Sequence, residues 1–276
     1  MNSVSSTLSY LKSGRLAPYS YTFTPPTGTP WESGEYESIN VDIADARHGV
    51  SGLSIHQGGF ELRDAPTSVA NFMDSAAVRQ VYYPEAIELA LAVTGGARAY
   101  IFDHLVRRRE ENRSALSFGR LKEQGPPAAN GRIHNDYTEA SGQRRLALVL
   151  DEPGIREKVR RYCIINIWRS IRGPVLDTPL AVCDARTVRA SDFVASEVRY
   201  PNRIGEIYLA THSPHHRWFY FSKMDRHEAM IFKQYDSQIS GVARFTPHAA
   251  FDLPDVPPNA PLRESIELRC LVVFDE

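Results

Sequence analysis

The sequence predicts a mainly β protein with some α structure, in which a sandwich or barrel of strands is supported by helices. Short apolar runs separated by turns dominate the C-terminal half, and helical spacing of apolar residues is found in the N-terminal half. The chain has 276 residues, 42% hydrophobic and 24% charged. These values are typical of a globular protein and exclude a disordered chain, a collagen and a coiled coil. No linker divides the sequence, so we expect one domain over residues 1–276, with an N-terminal helical and loop extension.

The N-terminal part is expected to contain short strands and most of the helices. Residues 1–40 are predicted to be mainly loop. Ile39–Ile43 alternates apolar and polar residues, as an edge strand does. Gly95 and Gly96 are expected to end a helix. Strands are predicted at Tyr19–Phe23, Ile39–Ile43, Phe60–Leu62 and Ala97–Leu105, and helices at Val69–Ser75 and Val78–Val93.

The chain is predicted to become mainly β from Ile164 onward. Before that point, residues 112–131 contain the breakers Gly125, Pro126 and Pro127 and are expected to form a mobile loop that acts as a lid. Helices are predicted at Pro153–Tyr162 and Thr187–Glu197. Strands are predicted at Ile164–Trp168, Leu180–Asp184, Glu206–Thr211, Arg217–Ser222, Ala229–Tyr235, Ala243–Phe251 and Ser265–Phe274.

Charge and cysteine content limit the possible partners and compartments. The chain has 32 Lys and Arg residues and 33 Asp and Glu residues, a net charge of −1, so no global positive field attracts nucleic acid or an anionic membrane. No apolar run approaches the roughly 18 residues of a membrane span. Met1–Gly14 lacks the pattern of a secretory signal. The 3 cysteines are distant from one another and form no Cys-x-x-Cys motif. We therefore expect a cytoplasmic protein without nucleic-acid or membrane partners.

The segment His134-Asn135-Asp136 is the first candidate site. In an extended segment, residues i and i+2 point to the same side, about 6.6 Å apart, so an imidazole and a carboxylate can converge on one ion. A further histidine would complete a 2-His-1-carboxylate triad, which leaves coordination positions open on Fe(II). The same spacing also fits a surface histidine beside an acidic turn residue.

Two further candidates lie near the C-terminus. His248 is on a predicted strand that can face Asp136 across a barrel, although a half-buried sheet histidine fits the same pattern. On the last strand, polar residues alternate with apolar ones, so one face is polar. Two arginines and a hydroxyl on that face suit a carboxylate ligand, because guanidinium binds carboxylate through paired hydrogen bonds. A solvent-facing Arg–Glu ladder is the alternative. The polar positions are Arg263, Ser265, Glu267 and Arg269.

Other clusters of polar residues are interpreted as structural. Arg107, Arg108 and Arg109 are followed directly by Glu110 and Glu111, which favours a solvated charged segment over a phosphate site. Three histidines occur close together and could bind a transition metal, but a structural loop between two strands is favoured. They are His212, His215 and His216.

The order of these motifs resembles the Fe(II)/2-oxoglutarate-dependent dioxygenases. It is most similar to the fungal asaB-type hydroxylase/desaturase family, which includes a gibberellin desaturase and the novofumigatonin-pathway endoperoxygenase. The resemblance covers the chain from about residue 40 to the end. The matching stretches are Tyr83–Glu85, Val106–Arg108, His134–Asp136, Asn166–Arg169, Pro179–Asp184, Trp218–Tyr220, Lys233–Ser237, His248–Phe251 and Ser265–Arg269.

The resemblance implies a fold, a set of cofactors and a role for each candidate residue. The implied fold is a cupin-like double-stranded β-helix, or jelly roll, and the implied cofactors are Fe(II), 2-oxoglutarate and O₂. His134, Asp136 and His248 would ligate iron. Either Arg263, with Ser265, or Arg269 would anchor 2-oxoglutarate, and Asn166 is a lesser candidate for contact near the cosubstrate.

The family also implies a reaction and a substrate class. A C–H bond of a small terpenoid, meroterpenoid or polyketide would be attacked, giving hydroxylation, desaturation or endoperoxide formation, and relatives suggest a possible homodimer. Two alternatives remain at this stage. One is a non-catalytic jelly-roll partner of a biosynthetic enzyme, and the other is a redox-neutral metal-dependent isomerase or hydrolase.

Overall fold

The computed structural model describes residues 2–14, 17–48, 50, 52–110 and 129–274. The predicted lid lies outside the described residues except for residues 129–131. The strands are β1 (Ser3–Leu11), β2 (Tyr19–Tyr21), β3 (Tyr36–Asp45), β4 (Phe60–Asp64), β5 (Arg98–Arg108), β6 (His134–Asn135), β7 (Tyr162–Ser170), β8 (Leu180–Cys183), β9 (Phe193–Arg199), β10 (Ile204–Ala210), β11 (Trp218–Tyr220), β12 (Glu228–Asp236), β13 (His248–Ala250) and β14 (Glu264–Val273). The helices are α1 (Ser75–Ala77), α2 (Tyr83–Thr94), α3 (Glu139–Val149) and α4 (Pro153–Arg156).

The described strands form two sheets. The larger has nine strands in the order β1-β3-β11-β8-β13-β6-β10-β9-β2, and the smaller has five in the order β4-β12-β7-β14-β5. Most neighbours are antiparallel, but β3 with β11 and β2 with β9 are parallel. The expected mainly β architecture with supporting helices is therefore present.

Apolar side chains join the two sheets and attach the helices to one of them. Phe60, Trp168 and Phe232 of the smaller sheet pack with Val182 and Phe219 of the larger one. On the outer face of the smaller sheet, a helical segment runs through α1, a π-helical turn (Val78–Tyr82) and α2. Its buried side chains pack against β7 and β14, which confirms the predicted position of the helices over one sheet.

Two expectations for the N-terminal part were wrong. Residues predicted as loop form β1, which pairs along its whole length with β3. As a result β3, predicted to be an edge strand, has neighbours on both sides. The serines of β1 conceal its alternation in the sequence, although Leu8 and Tyr10 are fully buried.

Three helix predictions also needed correction. The chain before Asp74 is irregular, and the helix begins only where the Asp74 carboxylate accepts a hydrogen bond from Ala76 N at 2.9 Å. Where a helix was predicted at Pro153–Tyr162, the structure has only the short helix α4 (Pro153–Arg156). The helix predicted at Thr187–Glu197 is absent: its first part contains a short 3-10 turn (Ala190–Asp192), and its last five residues belong to strand β9, which β2 and β10 flank on both sides.

Helix α3 was missed because a glycine lies within it. Thr138 caps this helix by accepting a hydrogen bond from Ser141 N at 3.1 Å. A side chain at Gly142 would collide with the Tyr235 ring, since a Cβ atom there would lie 2.5 Å from Tyr235 Cδ2. The glycine therefore allows α3 to pack closely against the smaller sheet.

Candidate metal centre

Three side chains that were predicted to ligate a metal lie together. The ligand atoms of His134, Asp136 and His248 are all within 4.8 Å of one another. In the described part of the chain, these three residues form the group of histidine and acidic side chains that could hold a metal ion. His134 Nε2 lies 3.5 Å from Asp136 Oδ1. The imidazole centroids of the two histidines are 4.3 Å apart. The extended segment expected around His134 is β6, and His134 pairs directly with His248 of β13.

Backbone carbonyls fix the orientation of both imidazoles. His134 Nδ1 lies 2.7 Å from the Arg132 carbonyl, and His248 Nδ1 lies 3.2 Å from the Thr246 carbonyl. Because a carbonyl only accepts, each Nδ1 carries the proton and each Nε2 keeps a lone pair. Burial lowers the pKa of His134 to about 4 and also lowers the pKa of His248. Both rings are therefore neutral near pH 7, the form that binds a metal.

The Asp136 carboxylate is anionic and anchored through one oxygen. Its Oδ2 accepts hydrogen bonds from Asn166 Nδ2 at 2.8 Å and from Arg269 Nε at 3.0 Å. Burial by itself would raise the pKa of Asp136, but the Arg269 guanidinium and the neighbouring histidines lower it well below its ordinary value. This arrangement leaves Oδ1 on the side of His134.

A small cavity of 30 Å³ adjoins the two histidines. Its walls include Arg263, Ser265 and Arg269, the polar positions predicted on the last strand. Arg263 is 3% exposed and Ser265 is 1% exposed. The predicted alternation is confirmed, since the intervening residues of β14 pack on the helical side. Asn166 does not line the cavity and contacts Asp136 instead.

The two arginines of this face differ in their contacts. Arg269 donates to Asp136, to Asp103 Oδ2 at 2.9 Å and to Glu267 Oε1 at 3.2 Å. Arg263 donates from Nη1 to the Thr178 carbonyl at 3.0 Å, and its buried Nε has no hydrogen-bond partner among the residues that the structure describes. Burial lowers the pKa of Arg263 to about 10, so the group is still cationic near pH 7.

Comparison with known proteins places this site in a family. A family model described as an oxidoreductase/YMDC permease-like domain matches residues 8–273. The hydroxylase/desaturase CTB9 of Cercospora beticola is 33% identical over 261 residues, which cover 88% of this chain and 78% of CTB9. The Fe(II)/2-oxoglutarate-dependent dioxygenase nvfI of Aspergillus novofumigatus is 30% identical over 259 residues, covering 91% and 89%. The chain belongs to the asaB-type family of Fe(II)/2-oxoglutarate-dependent dioxygenases.

A solved structure agrees with this family. The iron and alpha-ketoglutarate-dependent endoperoxidase NvfI superposes with a TM-score of 0.86 at 26% identity, over 99% of each chain. The predicted family, jelly-roll fold and oxidoreductase class of this dioxygenase are therefore confirmed.

The arginine run at the end of β5 was interpreted wrongly as a solvated segment. Strand alternation turns Arg107 toward the cavity beside the histidines and Arg108 toward solvent. Arg109 donates to Thr178 Oγ1 at 2.9 Å and to Asp252 at 2.8 Å. The sequence did contain this signal, because the predicted strand Ala97–Leu105 ends only two residues before Arg107.

The sequence also did not identify Gln234 and Asp177 as supporting residues. Gln234 Oε1 accepts a hydrogen bond from Asp136 N at 2.7 Å, and its Nε2 donates to the Thr246 carbonyl at 3.2 Å. Asp177 accepts a hydrogen bond from Arg263 N at 3.1 Å. Gln234 lies in one of the stretches that carried the family resemblance, which was the available signal.

The histidine cluster after β10 lies in a loop before β11, as expected, and one member, His216, has structural contacts. His216 Nε2 lies 3.2 Å from Asp192 and its Nδ1 lies 3.1 Å from the Tyr10 hydroxyl. Tyr10 in turn accepts a hydrogen bond from Trp218 Nε1 at 2.8 Å. These contacts tie β1 and β11 to the loops at one end of the larger sheet.

Proposed function

We propose that this dioxygenase uses Fe(II), 2-oxoglutarate and O₂ to oxidise a C–H bond of a small natural-product intermediate of the terpenoid, meroterpenoid or polyketide class. Hydroxylation, desaturation and endoperoxide formation are the candidate outcomes. The observation that carries the proposal is the convergence of His134, Asp136 and His248 within 4.8 Å, next to a cavity that contains the unpartnered Nε of Arg263. We propose that residues 1–276 form one oxygenase domain.

The donor set fits Fe(II). Two imidazole nitrogens and one carboxylate oxygen form a 2-His-1-carboxylate set, which leaves positions for a bidentate cosubstrate and O₂. In this role His134 and His248 offer Nε2 and Asp136 offers Oδ1. When bound, iron would activate O₂, which supplies the oxidising equivalents to convert 2-oxoglutarate into succinate and CO₂ and to oxidise the C–H bond.

We assign the cosubstrate anchor to Arg263, with Ser265 beside it. The guanidinium of Arg263 is buried and cationic, and its Nε lacks a partner, so a carboxylate would satisfy it. Arg269 already contacts three carboxylates, which supports a role in holding Asp136. We propose the same supporting role for Asn166. Because one water needs about 10–15 Å³, the 30 Å³ cavity is too small for the diacid, and we expect its lining side chains to separate on binding.

Succinate release tests the proposed reaction. The purified protein is incubated with Fe(II), ascorbate and 2-oxoglutarate, and succinate and bound iron are both measured. We expect succinate from the natural chain, and neither succinate nor retained iron from His134→Ala. His227→Ala removes an exposed histidine and serves as the matched control. Normal iron content in His134→Ala would rule out the ligand assignment, whereas absence of succinate would favour the non-catalytic or redox-neutral alternative.

We further propose that the protein is a cytoplasmic homodimer without nucleic-acid partners. The three cysteines are unpaired and buried, which suits a reducing compartment. The net charge of −1 disfavours nucleic-acid binding. Among the described residues, no helix is long and apolar enough to cross a membrane. Light scattering after size-exclusion chromatography tests the oligomeric state, and a mass of one chain would contradict a dimer.

A further inference from the structure

A second cavity, of 320 Å³, lies beside the metal centre. Its lining includes Asp136 and Arg269, so a molecule held there adjoins the proposed iron ligand. The volume is within the range of small-ligand sites, which begins at about 300 Å³. The remaining walls come from α3 and from the turn and strand around β9 and β10. Of the three proposed iron ligands, Asp136 lines this cavity and the two histidines do not, so the cavity is a candidate space for the substrate on the Asp136 side of the centre.

Guanidinium groups outnumber carboxylates in this cavity. Arg269 is paired with Asp136 and Asp103, and Glu206 accepts a hydrogen bond from the Thr138 hydroxyl. Within the described ranges, the other three arginines form no ion pair. The full set of charged groups is Arg144, Arg145, Arg203 and Arg269 against Asp103, Asp136 and Glu206.

Aromatic rings hold two of these arginines in place. The guanidinium carbon of Arg145 lies 4.6 Å from the Phe102 ring centroid, and that of Arg203 lies 3.8 Å from the Tyr200 ring centroid. A stacked guanidinium keeps the hydrogen-bonding edge of its plane available to a planar anion. The Nε of Arg145 is buried and has no hydrogen-bond partner in the described part of the chain. Burying such a donor without a partner is costly, which favours a ligand that accepts from it.

Apolar side chains border the same cavity. Leu148 is 70% exposed and Ile204 is 63% exposed, and they are two of the five large apolar side chains exposed in the described part of the chain. Exposed apolar groups beside unpaired cations suit a ligand with an apolar body and an anionic group.

We propose that the substrate is an amphipathic carboxylic acid. Its carboxylate is bound by Arg145 and Arg203, and its apolar body lies against Leu148 and Ile204, which directs the rest of the molecule toward Asp136. The inference rests on the proposed function, because the role of Asp136 as an iron ligand makes this cavity the reaction space. It deepens that function by assigning a chemical class that the fold alone does not specify.

A pair of matched probes tests the charge preference. 1-Anilinonaphthalene-8-sulfonate and N-phenyl-1-naphthylamine share one aromatic body, but only the first is anionic. We expect the sulfonate to bind the Mn(II)-loaded protein at least tenfold more tightly, as measured by fluorescence titration. Arg145→Gln and Arg203→Gln should each weaken sulfonate binding at least fivefold and leave binding of the neutral probe within twofold. Thermal unfolding checks that both variants fold, and Arg203 is exposed, so at least that substitution should be tolerated.

Two control variants locate the binding site. Arg98→Gln changes an exposed arginine outside the cavity and should have no effect. Arg186→Gln changes an arginine of a separate, larger cavity of 550 Å³, which shares no residue with the triad. Equal affinity for the two probes, or weakening by Arg186→Gln in place of Arg145→Gln, would overturn the inference. If Mn(II), but not Zn(II), broadens the proton resonances of the sulfonate probe, the probe lies near the metal; absence of broadening contradicts the assigned cavity.

The assay separates failure of this inference from failure of the proposed function. Succinate release together with arginine-independent probe binding would overturn only the acidic substrate. Arginine-dependent binding without succinate release would retain the anion site but overturn both the oxygenase reaction and its interpretation as a substrate site.

Discussion

The two ends of the polar face of the last strand have opposite electrostatic surroundings. Arg263, directly before β14, lies near other cations, and burial together with Arg107 and Arg109 lowers its pKa. Arg269, within β14, lies among carboxylates, which raise its pKa despite burial. The first guanidinium is therefore suited to an incoming anion, whereas the second already neutralises the anions of the protein. Two arginines on one strand face can thus have different roles that depend on the residues opposite them.

The largest expected effect is that of Arg263→Gln on the cosubstrate. A charge-assisted hydrogen bond contributes about 1.5–3 kcal/mol, so loss of a paired interaction should raise the KM for 2-oxoglutarate about 10²- to 10⁴-fold. Iron affinity should change little, and Arg263→Lys should be intermediate because it keeps the charge without the planar fork. Steady-state kinetics with varied 2-oxoglutarate provides the measurement. If Arg263→Gln left the KM for 2-oxoglutarate unchanged, the assignment of Arg263 as the cosubstrate anchor would be wrong.

A buried ion pair of β12, outside the proposed ligand set, tests the cost of leaving a buried charge without its partner. Lys233 Nζ lies 2.6 Å from Asp236 Oδ2, and both side chains are fully buried. Lys233→Met leaves Asp236 with Arg161 as its cationic partner. We expect the free energy of unfolding in urea to fall by about 3 kcal/mol, whereas iron affinity in the folded protein is unchanged. Lys12→Met, at an exposed position, is the control, and equal stability of the two variants would contradict the prediction.

Arg269→Gln should act on the metal in preference to the cosubstrate. Removing a group that orients a metal ligand lowers metal affinity by about 10- to 100-fold, and loss of Arg269 also raises the pKa of Asp136 toward its ordinary value. Metal affinity is measured by competition with a chelator, and the KM for 2-oxoglutarate at saturating Fe(II) is measured in parallel. A rise in KM larger than that of Arg263→Gln would reverse the assignment of the anchor.

Asn166→Ala should have the smallest effect of the four. It removes one hydrogen bond to Asp136 Oδ2 but leaves the Arg269 contact to the same oxygen. A hydrogen bond to a charged group contributes about 1.5–3 kcal/mol, but the retained Arg269 contact offsets part of the loss, so we expect metal affinity to fall about tenfold or less. An effect equal to that of Arg269→Gln, in the same chelator assay, would show that the amide and the guanidinium are equally important for Asp136.

The sequence was most informative where a pattern is local. The alternation along Ser265–Arg269 follows directly from strand geometry and is present, and Asp136 meets His134 as expected although it lies at a bend directly after β6. It was least informative where pairing overrides local preference, as in β9, which was predicted to be a helix. It also could not choose between Arg263 and Arg269, since the choice depends on Asp103 and other residues that meet them only in the folded chain.

Gln234 connects the two sheets at the candidate metal centre. It belongs to β12 of the smaller sheet, yet its amide holds the Asp136 backbone and the Thr246 carbonyl beside the histidines of the larger sheet. A strand that carries none of the proposed ligands thereby supports the segments that carry them. A displacement of one sheet relative to the other would therefore change the distances among the proposed ligands. For this reason, rigid packing of the two sheets would also keep the metal centre in its geometry.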